Sequence, residues 1–114
     1  MSLKKDRNNS LDNKFMKFAI NLAKNQKGLT GTNPSVGCVI IKNKKIISYG
    51  VTNLKGRPHA ETIALNKSKY KHSKSSMYLT LEPCSHYGKT PPCTNAIISS
   101  KLKKVYFSSF YTIF

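Results

Sequence analysis

Four side chains carry the chemistry open to this sequence: His59 and Glu61 in the fragment His59-Ala60-Glu61, Cys84 after Pro83, and Cys93 after Pro92. One imidazole and two thiolates supply three ligands for a zinc ion, and Glu61 remains as a carboxylate beside them. Zinc that only braces a fold is held by four protein ligands, whereas zinc that acts on a substrate keeps one position for water. Three ligands and a nearby Glu therefore describe a hydrolytic site. A neutral His and two thiolates formally neutralise the divalent ion, which still acidifies water toward neutral pH and makes hydroxide available. Glu61 suits the role of proton shuttle, taking the water proton and handing it to a substrate nitrogen, as the departure of ammonia requires. An isolated His at a helix start is ordinarily a cap or a surface residue. The company of a Glu and two Cys is what argues for a ligand.

These residues need elements to hold them. Pro58 suits the first turn of a helix, where its missing N–H costs nothing, and Ala60, Ile63, Ala64 and Leu65 follow at helical spacing. His59 and Glu61 are thus predicted at a helix start, whose exposed N–H groups favour a bound anion. Pro92 ahead of Cys93-Thr94-Asn95-Ala96-Ile97-Ile98 predicts a second helix start converging on the same metal. Upstream, Phe15, Phe18, Ala19, Leu22 and Ala23 mark one face of a helix that stops at Gly28. Residues 1–13 read as a polar, loose tail ahead of one domain over residues 14–114. Leu29 to Ser35 is a loop, Val36 to Lys42 a buried strand, Asn43-Lys44 a turn and Lys45 to Val51 the hairpin partner. The loop Thr52 to Arg57 leads to the His59 helix. Ser76 to Leu81 is a strand that delivers Glu82 to Cys84 at its C-terminal end, where α/β sheets place their ligands. Lys104 to Ser108 is the last strand. Cys38 lies in an apolar run and reads as a small buried hydrophobe; His72 reads as solvated loop. The alternating order makes this an α/β layered domain.

His-x-Glu with Pro-Cys-x-x-Cys is the signature of the zinc nucleobase deaminases, and the chain resembles that class. Here eight residues, Ser85-His86-Tyr87-Gly88-Lys89-Thr90-Pro91-Pro92, stand between the cysteines where the common signature has two. That longer form, with Glu82-Pro83-Cys84-Ser85-His86 at one end and Thr90-Pro91-Pro92-Cys93-Thr94 at the other, is similar to the deaminase domain of the bacterial bifunctional riboflavin-synthesis deaminase/reductase. Asn33-Pro34-Ser35-Val36-Gly37-Cys38-Val39-Ile40 resembles the same family's opening strand motif. The resemblance implies a cytidine-deaminase-like three-layer sandwich around a mixed sheet. Its implied reaction is zinc-dependent deamination of 2,5-diamino-6-ribosylamino-4(3H)-pyrimidinone 5′-phosphate to 5-amino-6-ribosylaminouracil 5′-phosphate and ammonia, early in riboflavin biosynthesis. It further implies that Asn33, His86 and Lys89 contact substrate, with Lys89 at the phosphate. Cytidine, deoxycytidylate and transfer-RNA adenosine deaminases are the alternative enzymes, and their short cysteine spacing is absent. The family carries a His where this chain has Thr52. It also continues past the last strand with another strand, helices and a nicotinamide-dependent reductase domain, to which Phe110-Tyr111-Thr112-Ile113-Phe114 bears no likeness. The expectation is a domain truncated at its C-terminus, with the last strand left as an open edge. A catalytically inactive zinc-binding remnant is the alternative from outside the enzymes.

Composition bounds the rest. At 114 residues the chain has room for one core, burying somewhat under ~70% of its unfolded surface. The net charge of +16 ordinarily suggests nucleic acid. Yet all the basic residues except Arg7 and Arg57 are Lys, spread along the chain with no aromatic interleaving, so a nucleic-acid partner is not expected. The positive field still attracts a phosphorylated small molecule. Of four acidic residues, Glu61 and Glu82 lie inside the site motifs. No apolar run approaches the ~20 residues of a membrane span, and the first residues lack the apolar core of a signal peptide, so a cytoplasmic protein is expected. Three cysteines, two committed to a metal, also suit a reducing compartment. A homo-oligomer or a separate reductase is the protein partner expected.

Overall fold

Hydrophobic alternation along the strands decides the layering, because successive residues of a strand face opposite sides of its sheet. The computed structural model describes residues 2–5, 10–26, 28–30, 35–54, 58–67, 74–80 and 101–107. In chain order these form β1 (Ser2–Lys5), α1 (Ser10–Asn25), β2 (Gly37–Lys42), β3 (Lys45–Val51), α2 (Ala60–Lys67), β4 (Ser76–Leu79) and β5 (Lys104–Phe107). The five strands make one mixed sheet in the order β1-β5-β4-β2-β3. β2 runs antiparallel to both β3 and β4, while β4 pairs with β5, and β5 with β1, in parallel. Val39 and Ile41 of β2 and Tyr78 of β4 face α1 and pack with its Phe15, Met16, Ala19, Ile20 and Ala23. Cys38 and Ile40, Met77 and Leu79, and Val105 face the other way, onto Ala60 and Ala64 of α2 and onto Leu102. The sheet is thus sandwiched between helices, the three-layer arrangement expected. Cys38 is buried in that second cluster as expected.

Two glycines set how closely the helices approach. A Cβ on Gly37 would run into the backbone carbonyl of Ala19, and one on Gly50 into the backbone of Ala60 and Ala64. The residues lie on neighbouring strands and opposite faces, so each helix is seated on the sheet at a position where only glycine fits. On the α1 face the core is aromatic as well as aliphatic. Tyr78 stacks on Tyr106 at 4.7 Å between centroids and meets Phe15 at 5.5 Å.

Several boundaries differ from the sequence expectation. The segment read as a loose tail contains β1 and the first turn of α1. β1 lies against β5, so β5 is an interior strand and not the open edge expected. Four residues with no apolar alternation form this strand because β5 offers them a row of unpaired backbone groups, a tertiary cause that local pattern does not carry. α1 ends at Asn25, ahead of Gly28, whose φ of 85° lies in the turn that follows, closed by the Leu29 N–H on the Gln26 carbonyl at 3.0 Å. Its buried stripe is Phe15, Met16, Ala19, Ile20 and Ala23. Phe18, expected inside, is 39% exposed and meets Tyr49 edge-on at 6.0 Å. β4 leaves the sheet at Leu79, ahead of the expected Leu81, and β5 is described to Phe107. The hairpin is as expected: β3 spans Lys45–Val51, and the turn residues Asn43 and Lys44 have φ of 53° and 62°. Positive φ at both central residues is the mark of a type I′ turn, whose twist matches that of the flanking strands.

Candidate active site at one end of the sheet

Register places the ends of three strands together. Gly37, the first residue of β2, pairs with Val51, the last of β3, and Cys38 pairs with Leu79, the last of β4. The chain leaves β3 toward α2 and leaves β4 toward Glu82 and Cys84 from this same end of the sheet. Thr52 and Thr80 are the first residues beyond the two strands, and both are buried. The Thr52 N–H donates to the Val36 carbonyl at 3.0 Å and its Oγ1 accepts the Val36 N–H at 2.9 Å. On the other side of β2, the Thr80 N–H donates to the Gly37 carbonyl at 3.2 Å and its Oγ1 accepts the Gly37 N–H at 3.1 Å. Ser35 donates its hydroxyl to the Ala23 carbonyl at 2.6 Å, tying the start of β2 to the end of α1.

His59 and Glu61 sit at the start of α2, as their sequence context predicts. The His59 carbonyl accepts the Ile63 N–H at 3.1 Å, the first bond of the helix, which makes His59 the N-cap residue. Pro58 therefore precedes the cap and does not occupy the first turn. Its carbonyl instead accepts the Asn53 N–H at 3.2 Å and closes the loop between β3 and α2. An N-cap residue has non-helical backbone angles, so His59 leaves the helix line that Glu61 follows. His59 is half-buried and Glu61 is 4% exposed. A carboxylate is costly to bury without compensation, and a helix N-terminus is one place where negative charge is favoured.

The remaining expected site residues, Asn33, Cys84, His86, Lys89 and Cys93, lie outside the described residues, as do His72 and the helix start expected after Pro92. Among the described residues, which hold one of three expected zinc ligands, no group of three or more His, Cys, Asp or Glu side chains gathers. The donor chemistry present fits zinc nevertheless: an imidazole at a helix cap beside a buried carboxylate, at the end of the sheet toward which β4 brings a Cys-bearing segment. Sequence reasoning noticed Thr52 only as a departure and did not single out Thr80 at all. The available signal was a Thr directly after each predicted strand, a residue whose hydroxyl can bond nearby backbone groups.

A zinc deaminase site is the class this fold and this helix start define. The chain belongs to that family: the description "cytidine and deoxycytidylate deaminase zinc-binding region" matches residues 9–109. Zinc is accordingly its cofactor. Within the family, it is 50% identical over 98 residues to the diaminohydroxyphosphoribosylamino-pyrimidine deaminase of Buchnera aphidicola subsp. Schizaphis graminum, covering 86% of this chain and 67% of that protein. It is 48% identical over 95 residues to the riboflavin biosynthesis protein RibD of Aquifex aeolicus, covering 83% of this chain and 27% of that one. A crystal structure of the deaminase/reductase from Thermotoga maritima superposes with a TM-score of 0.76 at 42% identity, over 82% of this chain and 28% of that one. The chain thus spans about a quarter of the Aquifex and Thermotoga relatives and two thirds of the Buchnera deaminase. No helix among the described residues is long and apolar enough to cross a membrane.

Proposed function

We propose that the chain deaminates 2,5-diamino-6-ribosylamino-4(3H)-pyrimidinone 5′-phosphate to the aminouracil phosphate and ammonia, in the cytoplasm, with a homo-oligomer or a separate reductase as its protein partner. The observation that carries this reading is the buried Glu61 just inside the helix capped by His59, at the sheet end from which β4 leads toward Cys84. His59, Cys84 and Cys93 hold the zinc. When bound, zinc supplies an acidified water at neutral pH. Glu61 takes a proton from the attacking water and delivers it to the amino nitrogen. The carbon–oxygen bond forms, the carbon–nitrogen bond breaks, and ammonia leaves. Burial keeps this carboxylate from exchanging its proton freely with bulk solvent. Asn33 and His86 orient the base, and Lys89 acts as a point charge on the 5′-phosphate.

Metal analysis and ammonia release test this together. The purified chain should carry one zinc, and Cys84→Ser or Cys93→Ser should lose it, since each removes one of only three protein ligands. Ammonia should be released from the pyrimidine phosphate and not from cytidine, deoxycytidylate or transfer RNA. Zinc without turnover on any of these would identify an inactive remnant.

A further inference from the structure

We propose that Thr52 and Thr80 are a matched pair of positioning residues, each closing the last rung of its strand with a hydroxyl so that the chains leading to His59 and Cys84 depart at fixed points. The inference rests on the zinc-site reading above. Residues paired in this way in an antiparallel ladder normally exchange two backbone bonds, each N–H donating to the other's carbonyl. At Val36 and Thr52 one of these is intact, and the other is replaced: the Val36 N–H goes to Thr52 Oγ1 at 2.9 Å. At Gly37 and Thr80 the same replacement occurs, with the Gly37 N–H on Thr80 Oγ1 at 3.1 Å.

The replacement has a physical use. A hydroxyl that satisfies the partner's N–H releases the residue's own carbonyl, so the chain can turn out of the sheet without stranding a buried donor. The released Thr52 carbonyl accepts Gln26 Nε2 at 3.3 Å, at the end of α1. Thr52 is followed by Asn53, whose N–H closes the loop on Pro58, so the placement of Thr52 passes directly to the residue before His59. Thr80 stands at the corresponding point of β4, on the segment that continues to Glu82, Pro83 and Cys84. The two rungs grip Gly37, the first residue of β2, and Val36 just before it, from opposite sides. One strand start thus serves as the common reference for two ligand-bearing arms.

The experiment uses the whole chain loaded with zinc and compares Thr52→Val and Thr80→Val with Thr52→Ser, Thr80→Ser and Ser48→Ala. Valine keeps the volume and removes the acceptor, whereas serine keeps the acceptor. Ser48 is the control: its hydroxyl makes a buried bond, to the Ala64 carbonyl at 2.6 Å, farther along α2 from the site. Zinc affinity is read by chelator competition, stability by melting, and kcat and KM by ammonia release. Each valine variant should bind zinc roughly tenfold more weakly and lose kcat by a similar factor with KM little changed, the size of one buried hydrogen bond. Each serine variant should restore both. Ser48→Ala should lower the melting temperature and leave zinc affinity as it was. Valine variants that melt lower yet hold zinc as tightly as Ser48→Ala would overturn the proposal, as would serine variants that restore nothing. A wild type that binds zinc without releasing ammonia removes the deaminase reading and leaves the affinities to decide the pair. One that binds no zinc removes both.

Discussion

The two ends of the sheet are built on different principles. At one end β2 turns into β3 through Asn43 and Lys44, both exposed, both left-handed, with backbone pairing from Lys42 to Lys45. This connection is local in the chain, made by the two strands that it joins. At the other end, Val36, Thr52 and Thr80 come from three separate segments and are joined by buried hydroxyls that replace backbone acceptors. Variation of the Asn43-Lys44 turn is therefore expected to stay confined to that turn. The functional end is where departing chains must be aimed, and there short polar side chains take over from the ladder.

Breaking this comparison starts at the site. Glu61→Gln preserves shape and hydrogen bonding but cannot accept the water proton, so turnover should fall by roughly two to four orders of magnitude with zinc retained. Steady-state ammonia release beside metal analysis reads both, and near-normal turnover would falsify the shuttle role. Gly50→Ala comes next. Its Cβ would press on the backbone of Ala60 and Ala64, lifting the helix that carries Glu61, and overpacking of this kind costs about 1–3 kcal/mol. Denaturant melts should show the loss of stability, and kcat should drop with it; stability lost with kcat untouched would mean that the seat of α2 does not govern the site.

Lys89→Ala should raise KM for the phosphorylated substrate by about tenfold, the scale of one charge-assisted contact, and leave zinc content alone. Added salt should weaken the wild type more than the variant. Equal effects on the phosphorylated compound and its dephosphorylated analogue would make Lys89 a bystander. The smallest effect belongs to the opposite end. Lys44→Gly places at φ 62° the residue that a type I′ turn prefers, and relief of the left-handed strain is worth about 1 kcal/mol. The melting temperature should rise by a few degrees with kcat and KM unchanged. A change in either constant would show that the two ends are coupled after all.

Legibility followed the same division. The hairpin was legible to within one residue, β2 starting at Gly37 and not at Val36, because alternation and a two-residue turn are contained in the segment that forms them; the shift of register between Ile40 and Ile41 was not. The start of α2 was also legible, since a Pro, a His and helically spaced apolar residues lie together, although the carbonyl bond to Ile63 moves Pro58 outside the cap. Phe18 was misplaced because a helix face is defined by what it meets. The stripe that β2 and β4 select runs through Met16 and Ile20, and Phe18 is left beside Tyr49. β1 was missed because its cause lies far along the chain, in the edge of β5.

The identities of His59, Glu61, Cys84 and Cys93 and their order suffice to name the zinc chemistry, because ligand type and proton transfer are properties of side chains and need no fold to be recognised. Where those side chains stand is another matter. The burial of Glu61, the seating of two helices on Gly37 and Gly50, and the hydroxyl rungs at Thr52 and Thr80 all arise between residues far apart in the chain. Such contacts depend on which strands become neighbours and in what register, and no local pattern of residue types encodes that choice.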